Sequence, residues 1–236
     1  MAETFERREM KFLLTGSQRT ALEKKLAPLV EKESYNRYTI CNIFFDTDSF
    51  HLITTSIERP PFKQKLRMRT YFDGGKRSDT YLELKKKLEH IVYKRRIPAE
   101  DDRFLTDLTG ALAAMENDNT AREIRYFCSQ YPDLAPRIFL SYNRTAYHCI
   151  SDESLRITFD ENIRWRTTDL NFHSGTYGSP VLEQGQSLME IKVDNALPVW
   201  LSDILTECRV YKTTFSKVGR AYTRLLEQKL KESEGN

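Results

Sequence analysis

Along much of this chain, charged and apolar residues alternate with a period of two, as they do when successive side chains face opposite sides of a sheet. Residues 7–13 put Arg7, Glu9 and Lys11 on one face and Met10 and Phe12 on the other. Residues 63–72 set Lys63, Lys65, Arg67 and Arg69 against Leu66, Met68 and Phe72. The division recurs at 80–87 (Glu83 and Lys85 against Leu82 and Leu84) and at 154–160 (Arg156 and Asp160 against Leu155, Ile157 and Phe159). It recurs again at 188–194, with Glu190, Lys192 and Asp194 opposite Met189, Ile191 and Val193. A strand at 138–146 adds Arg144, and 38–46 (YTICNIFFD) reads as nearly buried throughout.

Five stretches show helical spacing instead. Ser17 is the expected N-cap of a helix over 18–33 striped by Leu22, Leu26, Leu29 and Val30. Further helices are expected over 101–116 and 119–131, and Pro198 suits the first turn of a short one carrying Trp200, Leu201, Ile204 and Leu205. The last starts near Phe215 and carries Val218, Tyr222, Leu225 and Leu226.

One strand with a charged face normally turns that face to water. Here Arg and Lys dominate that face in strand after strand, although strands disfavour Lys and Glu. Like charges side by side across strands also cost free energy. A sheet closed into a barrel accounts for the pattern better, with apolar faces outward beneath the helices and charged faces inward around a polyanion.

Composition narrows the classes further. The 37 Lys and Arg against 34 Asp and Glu leave a net charge of +3, so the placement of charge matters more than its sum. The four cysteines (Cys41, Cys128, Cys149, Cys208) have no CxxC spacing, which excludes zinc ribbons and redox motifs and fits a reducing compartment. Neither GxGxxG nor GxxxxGK[ST] occurs, which argues against Rossmann and P-loop designs. The start, MAETFERREMKF, lacks the apolar core of a signal peptide. No apolar run approaches the roughly 20 residues of a membrane helix. A cytoplasmic protein without a membrane segment is expected. Basic residues without aromatic neighbours make no stacking platform, so nucleic acid is not an expected partner. Histidines 51, 90, 148 and 173 have no ligand spacing.

Eight short motifs, in order, resemble the VTC (vacuolar transporter chaperone) domain, the polyphosphate polymerase branch of the triphosphate tunnel metalloenzymes. They are Arg7-x-Glu9-x-Lys11, NIFFDT at 42–47, KLRMRTY at 65–71, LELKKK at 82–87, YNRTAY at 142–147, LRITFDENIR at 155–164, MEIKV at 189–193 and FSKVGRAY at 215–222. The related triphosphatase and adenylyl cyclase branch has a Glu where this chain has Arg7, and Glu6 is out of phase with Glu9. The SPX domain and membrane segment often joined to eukaryotic VTC domains are absent from this sequence, so the likeness is to the stand-alone bacterial-type form.

The resemblance implies an α+β fold, a closed antiparallel β-tunnel with a charged interior flanked by helices. A single domain over 1–236, with its core at about 5–226, is expected. The implied activity is transfer of the γ-phosphate of ATP to a growing polyphosphate chain with release of ADP. The alternatives are a tunnel-type inorganic or nucleoside triphosphatase, or a non-catalytic binder of polyphosphate or inositol phosphate. Expected partners are ATP, polyphosphate, triphosphate and pyrophosphate.

By matching motifs, the implied catalytic residues are Lys11, Arg67, Arg69, Lys85, Arg144, Arg156, Lys192 and Lys217. Arg7, Tyr38, Lys212 and Ser216 are implied to bind substrate. Glu190 is the implied ligand for Mn2+ or Mg2+, ahead of Glu9, Glu83 and Asp160. These residue types suit the chemistry: Arg forks grip phosphate oxygens in pairs, Lys is a compact point charge, and a hard cation takes carboxylate oxygen.

Overall fold

In a computed structural model, residues 7–58, 60–89, 91–194 and 196–234 are described, apart from the side chains of Arg7, residues 34–36, Asp102 and Glu234. Glu6 and His90 therefore lie outside the described residues. The chain divides into two compact units with interleaved segments. The first comprises Met1–Thr39, Tyr142–Ile163 and Leu182–Phe215; the second comprises Ile40–Ser141, Arg164–Val181 and Ser216–Asn236.

In chain order the elements are β1 (Arg7–Leu14), α1 (Gly16–Leu26), β2 (Val30–Asp46), α2 (His51–Glu58), β3 (Phe62–Asp73), β4 (Lys76–Arg77), β5 (Tyr81–Leu88) and β6 (Ile91–Pro98). Then come α3 (Asp101–Thr106), α4 (Leu108–Ala113), α5 (Asn119–Ser129), β7 (Ala135–Cys149), β8 (Asp152–Arg166), β9 (Ser179–Pro180), β10 (Ser187–Asp194), α6 (Val199–Glu207), β11 (Lys212–Thr213) and α7 (Lys217–Glu234). Strands β2, β7 and β8 contribute residues to both units.

In the first unit β1 pairs with β11 and β10, and β10 with β8, all antiparallel. The apolar positions of these strands, Phe12, Ile157, Phe159, Met189, Ile191 and Val193, form one core with Leu22 and Leu26 of α1 and Leu201 and Leu205 of α6. In the second unit β3 pairs with β5 and β5 with β6, again antiparallel. Here Leu66, Met68, Leu82, Leu84 and Ile97 pack beneath Leu112 of α4 and Ala121, Ile124 and Phe127 of α5. Period two thus sends every second side chain under helices in each unit and leaves the charged set on the other face.

The differences from the sequence expectation have local causes. The first helix ends at Leu26 rather than 33 because Pro28, which follows the C-cap Ala27, has no N–H to continue the helical ladder. Val30 therefore opens β2. The cap is Thr15, not Ser17: its hydroxyl accepts from Gln18 N at 3.2 Å, and the Gln18 side chain accepts from Thr15 N at 3.0 Å. The expected 101–116 helix is two, divided at Asp107, which leaves helical geometry and caps α4 through Gly110 N at 2.9 Å. Helix α2 and strand β6 were not expected.

Helix α2 depends on a buried carboxylate. Asp46 accepts from Thr47 N (2.8 Å), Leu52 N (2.8 Å) and Ile53 N (2.9 Å), so it satisfies two first-turn donors of α2. Burial raises its pKa, while those three backbone donors and His51 oppose the rise. Asp46→Ala would strand buried N–H groups, and a loss on the order of 2 kcal/mol or more is expected. Urea unfolding measures it; an unchanged midpoint would show that water replaces the cap.

Candidate phosphate-binding and metal site

The charged face of the first unit is built on paired strands. Glu9 stands opposite Lys192, and Lys11 opposite Glu190, so signs alternate across β1 and β10. Lys11 Nζ lies 3.3 Å from Glu9 and 3.8 Å from Glu190, and donates to Phe215 O at 3.1 Å. Lys192 stands opposite Arg156 of β8, two cations in register, and lies 3.8 Å from Glu9. Burial pushes the Lys192 pKa down; Glu9 and Glu190 oppose this, while Arg144 and Arg156 add to it.

Arg144 is the buried centre of this group. Its Nε and Nη2 donate to both oxygens of Asp160 at 2.6 and 2.7 Å, and Nη2 also to Glu190 at 3.0 Å. Burial works against its charge, yet Tyr142, Asp160 and Glu190 hold its pKa well above the ordinary value. Arg156 is held by both oxygens of Glu33 and reaches the Tyr38 hydroxyl at 3.4 Å. The Arg156 hydrogen bond is the main reason that Glu33 titrates below the usual carboxylate range.

The second unit presents its own group. Glu83, 1% exposed, accepts from Arg67 at 2.7 and 2.9 Å and pairs with Lys94 at 2.6 Å and Arg69 at 3.9 Å. Burial alone would raise its pKa, but Arg67, Arg69 and Lys94 overcome this and hold it at about 2. Arg69 is aimed by Asn42, which accepts its Nε proton at 2.9 Å. Next to this group, Lys65 stands opposite Lys85 and Lys85 opposite Lys94, three lysines in one line across three strands. Ser216 caps α7 through Gly219 N at 3.2 Å and accepts from Lys65 at 3.4 Å, with Lys217 at the first helical position.

Of the residues singled out in the sequence, Glu9, Lys11, Tyr38, Arg144, Arg156, Asp160, Glu190 and Lys192 lie in the first unit, and Arg67, Arg69, Glu83, Lys85, Ser216 and Lys217 in the second. Arg7 opens β1 opposite Asp194, but its side chain is outside the described set. Lys212 lies apart: it is exposed and stands opposite Phe12, whose side chain is in the core, so it shares the apolar face rather than that of Lys11. Sequence reasoning missed Lys94, Glu33 and Asn42. Lys94 was hidden in the run KRR of an unrecognised strand, and Glu33 in the over-extended helix.

Among the described residues, no three His, Cys, Asp or Glu side chains come together as a protein-only metal cage. Asp160 has both oxygens on Arg144, and Glu83 has one on Arg67 and the other on Lys94. Glu190 and Glu9, both beside Lys11, are the carboxylates that fit a hard divalent ion whose shell is completed by phosphates and water.

The chain matches the family model of the VTC domain over residues 6–226. No curated protein matches it. Two solved structures are similar in fold. One is a putative adenylyl cyclase from Hippeastrum described as having a dominant triphosphatase activity, 18% identical, covering 89% of this chain and 92% of its own, with a TM-score of 0.52. The other is a putative adenylate cyclase from Vibrio parahaemolyticus, 11% identical, covering 94% and 99%, with a TM-score of 0.50.

The Glu83 cluster sets a pH response. A carboxyl that falls from 4.5 unfolded to about 2 folded adds stability that is full above pH 4.5 and lost as pH falls towards 2. On the order of 3 kcal/mol should disappear across that window. Glu83→Gln should flatten this limb of a stability–pH curve from urea unfolding; a limb as steep as the wild type would place the titration elsewhere.

With residues 6–226 matched and the antiparallel α+β tunnel fold shared with both solved structures, this chain belongs to the VTC domain family, whose fold implies dependence on a divalent metal.

Proposed function

We propose that the protein is a metal-dependent polyphosphate polymerase that transfers the γ-phosphate of ATP to the end of a polyphosphate chain and releases ADP. The observation that carries this reading is the Lys65–Lys85–Lys94 line beside Arg67 and Arg69. Like charges directly across strands repel, and a chain of phosphates is a ligand whose charge spacing relieves that repulsion along a whole row.

In the reaction, the terminal oxygen of the chain attacks the γ-phosphorus while the bond from that phosphorus to the β-phosphate oxygen breaks. The protein's part in phosphoryl transfer is positioning and charge stabilisation. Arg67 and Arg69 within the second unit, and Arg144 and Arg156 within the first, are the guanidinium groups proposed to meet phosphate oxygens, through donors not already given to Glu83, Asp160 and Glu33. Lys11, Lys85, Lys192 and Lys217 add point charges. A phosphate near Lys192 would oppose the burial that depresses its pKa. Tyr38 and Ser216 place hydroxyls beside Arg156 and Lys65. Glu190, with Glu9, would hold a divalent cation (Mn2+ or Mg2+), which neutralises phosphate charge when bound. Arg7 is the remaining proposed substrate contact.

Both reactants are anions, so a polymerase needs more fixed positive charge than a triphosphatase, whose acceptor is neutral water. It must also keep that water out. A phosphate balance tests this. ADP release should be matched by acid-stable polyphosphate, with orthophosphate a minor product. If nearly all the γ-phosphate appears as orthophosphate even with a polyphosphate primer, the protein is a triphosphatase.

Variants assign the parts. Arg67→Ala and Arg156→Ala should each slow turnover by roughly a hundredfold or more, the scale of one lost transition-state contact. Glu190→Gln should abolish metal-dependent activity with little change in Tm, because Arg144 keeps both oxygens of Asp160. Full activity in Glu190→Gln would remove that carboxylate from the mechanism.

A further inference from the structure

The outer end of the β3–β5–β6 ribbon carries an apolar row that the proposed reaction does not use. Phe62 stands opposite Leu88, and Leu88 opposite Ile91, so three apolar side chains line up on one face across three strands. Tyr93 follows Ile91 on that face, and Val92 points to the other. All five are between 47% and 57% exposed. Further along the same face, Leu66, Leu82 and Leu84 are fully buried. Exposure begins where helix cover stops: Lys86 and Arg95 still reach Glu123 of α5, at 2.7 and 3.2 Å. Every residue of β6 from Ile91 to Arg96 is exposed, and among the described residues its strand neighbour is β5 alone.

A contiguous apolar row left in water marks an interaction surface. Its surroundings say what kind. Residues 85–96 hold six Lys and Arg against the single acid Glu89, with Lys63 opposite Lys87. The other acids nearby, Glu83 and Glu123, pair with Lys94 and with Lys86 and Arg95, which still leaves this end net positive. A second copy of the chain would bring this cationic end against itself, which like-charge repulsion opposes. An anionic bilayer satisfies both features at once. Apolar side chains enter the headgroup boundary, where tyrosine rings favour the interface, and basic residues meet lipid phosphates.

We propose that the β5–β6 hairpin is a peripheral membrane-docking tip, with Phe62, Leu88, Ile91, Val92 and Tyr93 entering the headgroup region of an anionic bilayer and the flanking lysines and arginines binding its phosphates. This stands apart from the proposed reaction, since it requires neither ATP nor metal. The test is co-sedimentation of the full chain with vesicles of phosphatidylcholine, with or without phosphatidylglycerol, at low and high salt. Partition onto the phosphatidylglycerol vesicles should exceed that onto phosphatidylcholine by about tenfold or more and fall with salt.

Leu88→Ser with Ile91→Ser should cut this partition by about tenfold, with Tm and ATP turnover retained. Lys87→Gln with Arg95→Gln, which leaves the apolar row intact, should cut it similarly at low salt. Equal partition onto both vesicle types overturns the proposal, as does wild-type partition in either folded double variant. So does a concentration-dependent dimer in sedimentation velocity that Leu88→Ser with Ile91→Ser dissolves while no vesicle binding is found. In that case a second copy covers the row.

Discussion

A carboxylate sealed from water among guanidinium groups is the constraint on which each unit of this protein depends. Asp160 in the first unit and Glu83 in the second are almost wholly buried, and each binds an arginine through at least two hydrogen bonds. Burying a charge is costly unless it is paired and hydrogen-bonded. That condition fixes the register of the strands: Glu83 must stand opposite Arg67, and Arg144 must reach both β8 and β10. A slip of one residue in the strand pairing of either unit would send these charges into the apolar layer beneath the helices.

The same constraint explains why cations can crowd on strands at all. Two of the buried acids serve more than one base: Glu83 meets Arg67, Arg69 and Lys94, while Glu190 meets Arg144 and Lys11. The first unit alternates signs across β1 and β10 and so comes close to local balance. The second unit lines up three lysines across adjacent strands. Like charges stand opposite one another there, which ties strand register to the anionic ligand of the proposed function.

Most of the strands were legible because alternation is a local signal that survives tertiary context. Arg67 and Arg69 against Leu66 and Met68, or Glu190 and Lys192 against Met189 and Ile191, can be assigned to faces without knowing the neighbours. Three features could not be read this way. Helix α2 takes its cap from Asp46, five residues before its first residue, so no cap stands beside its start. Strand β6 breaks alternation with Lys94, Arg95 and Arg96 because it has little cover to bury a face. The first helix kept its apolar spacing past Leu26 although Pro28 forbade it, and Glu33, the partner of Arg156, was misplaced with it. Of the named site residues, Lys212 was misplaced for a related reason: its position in a two-residue strand carries too little pattern to reveal its face.

The division of labour between arginine and lysine follows from the same burial. Arg144 and Arg67 sit against buried carboxylates, where a group that could shed its proton would leave the acid unpaired; arginine stays charged in any such setting. Lysines occupy other positions on the charged faces, Lys65, Lys85 and Lys94 in one line and Lys192 opposite Arg156. Burial depresses the Lys192 pKa, and a phosphate beside it would oppose that shift. Arginine forks thus hold the framework, and lysines add point charges to it. Exchanging the two types, Arg144→Lys or Lys192→Arg, would disturb different properties: the first the paired hydrogen bonds to Asp160, the second the fit of a compact ammonium beside Glu9.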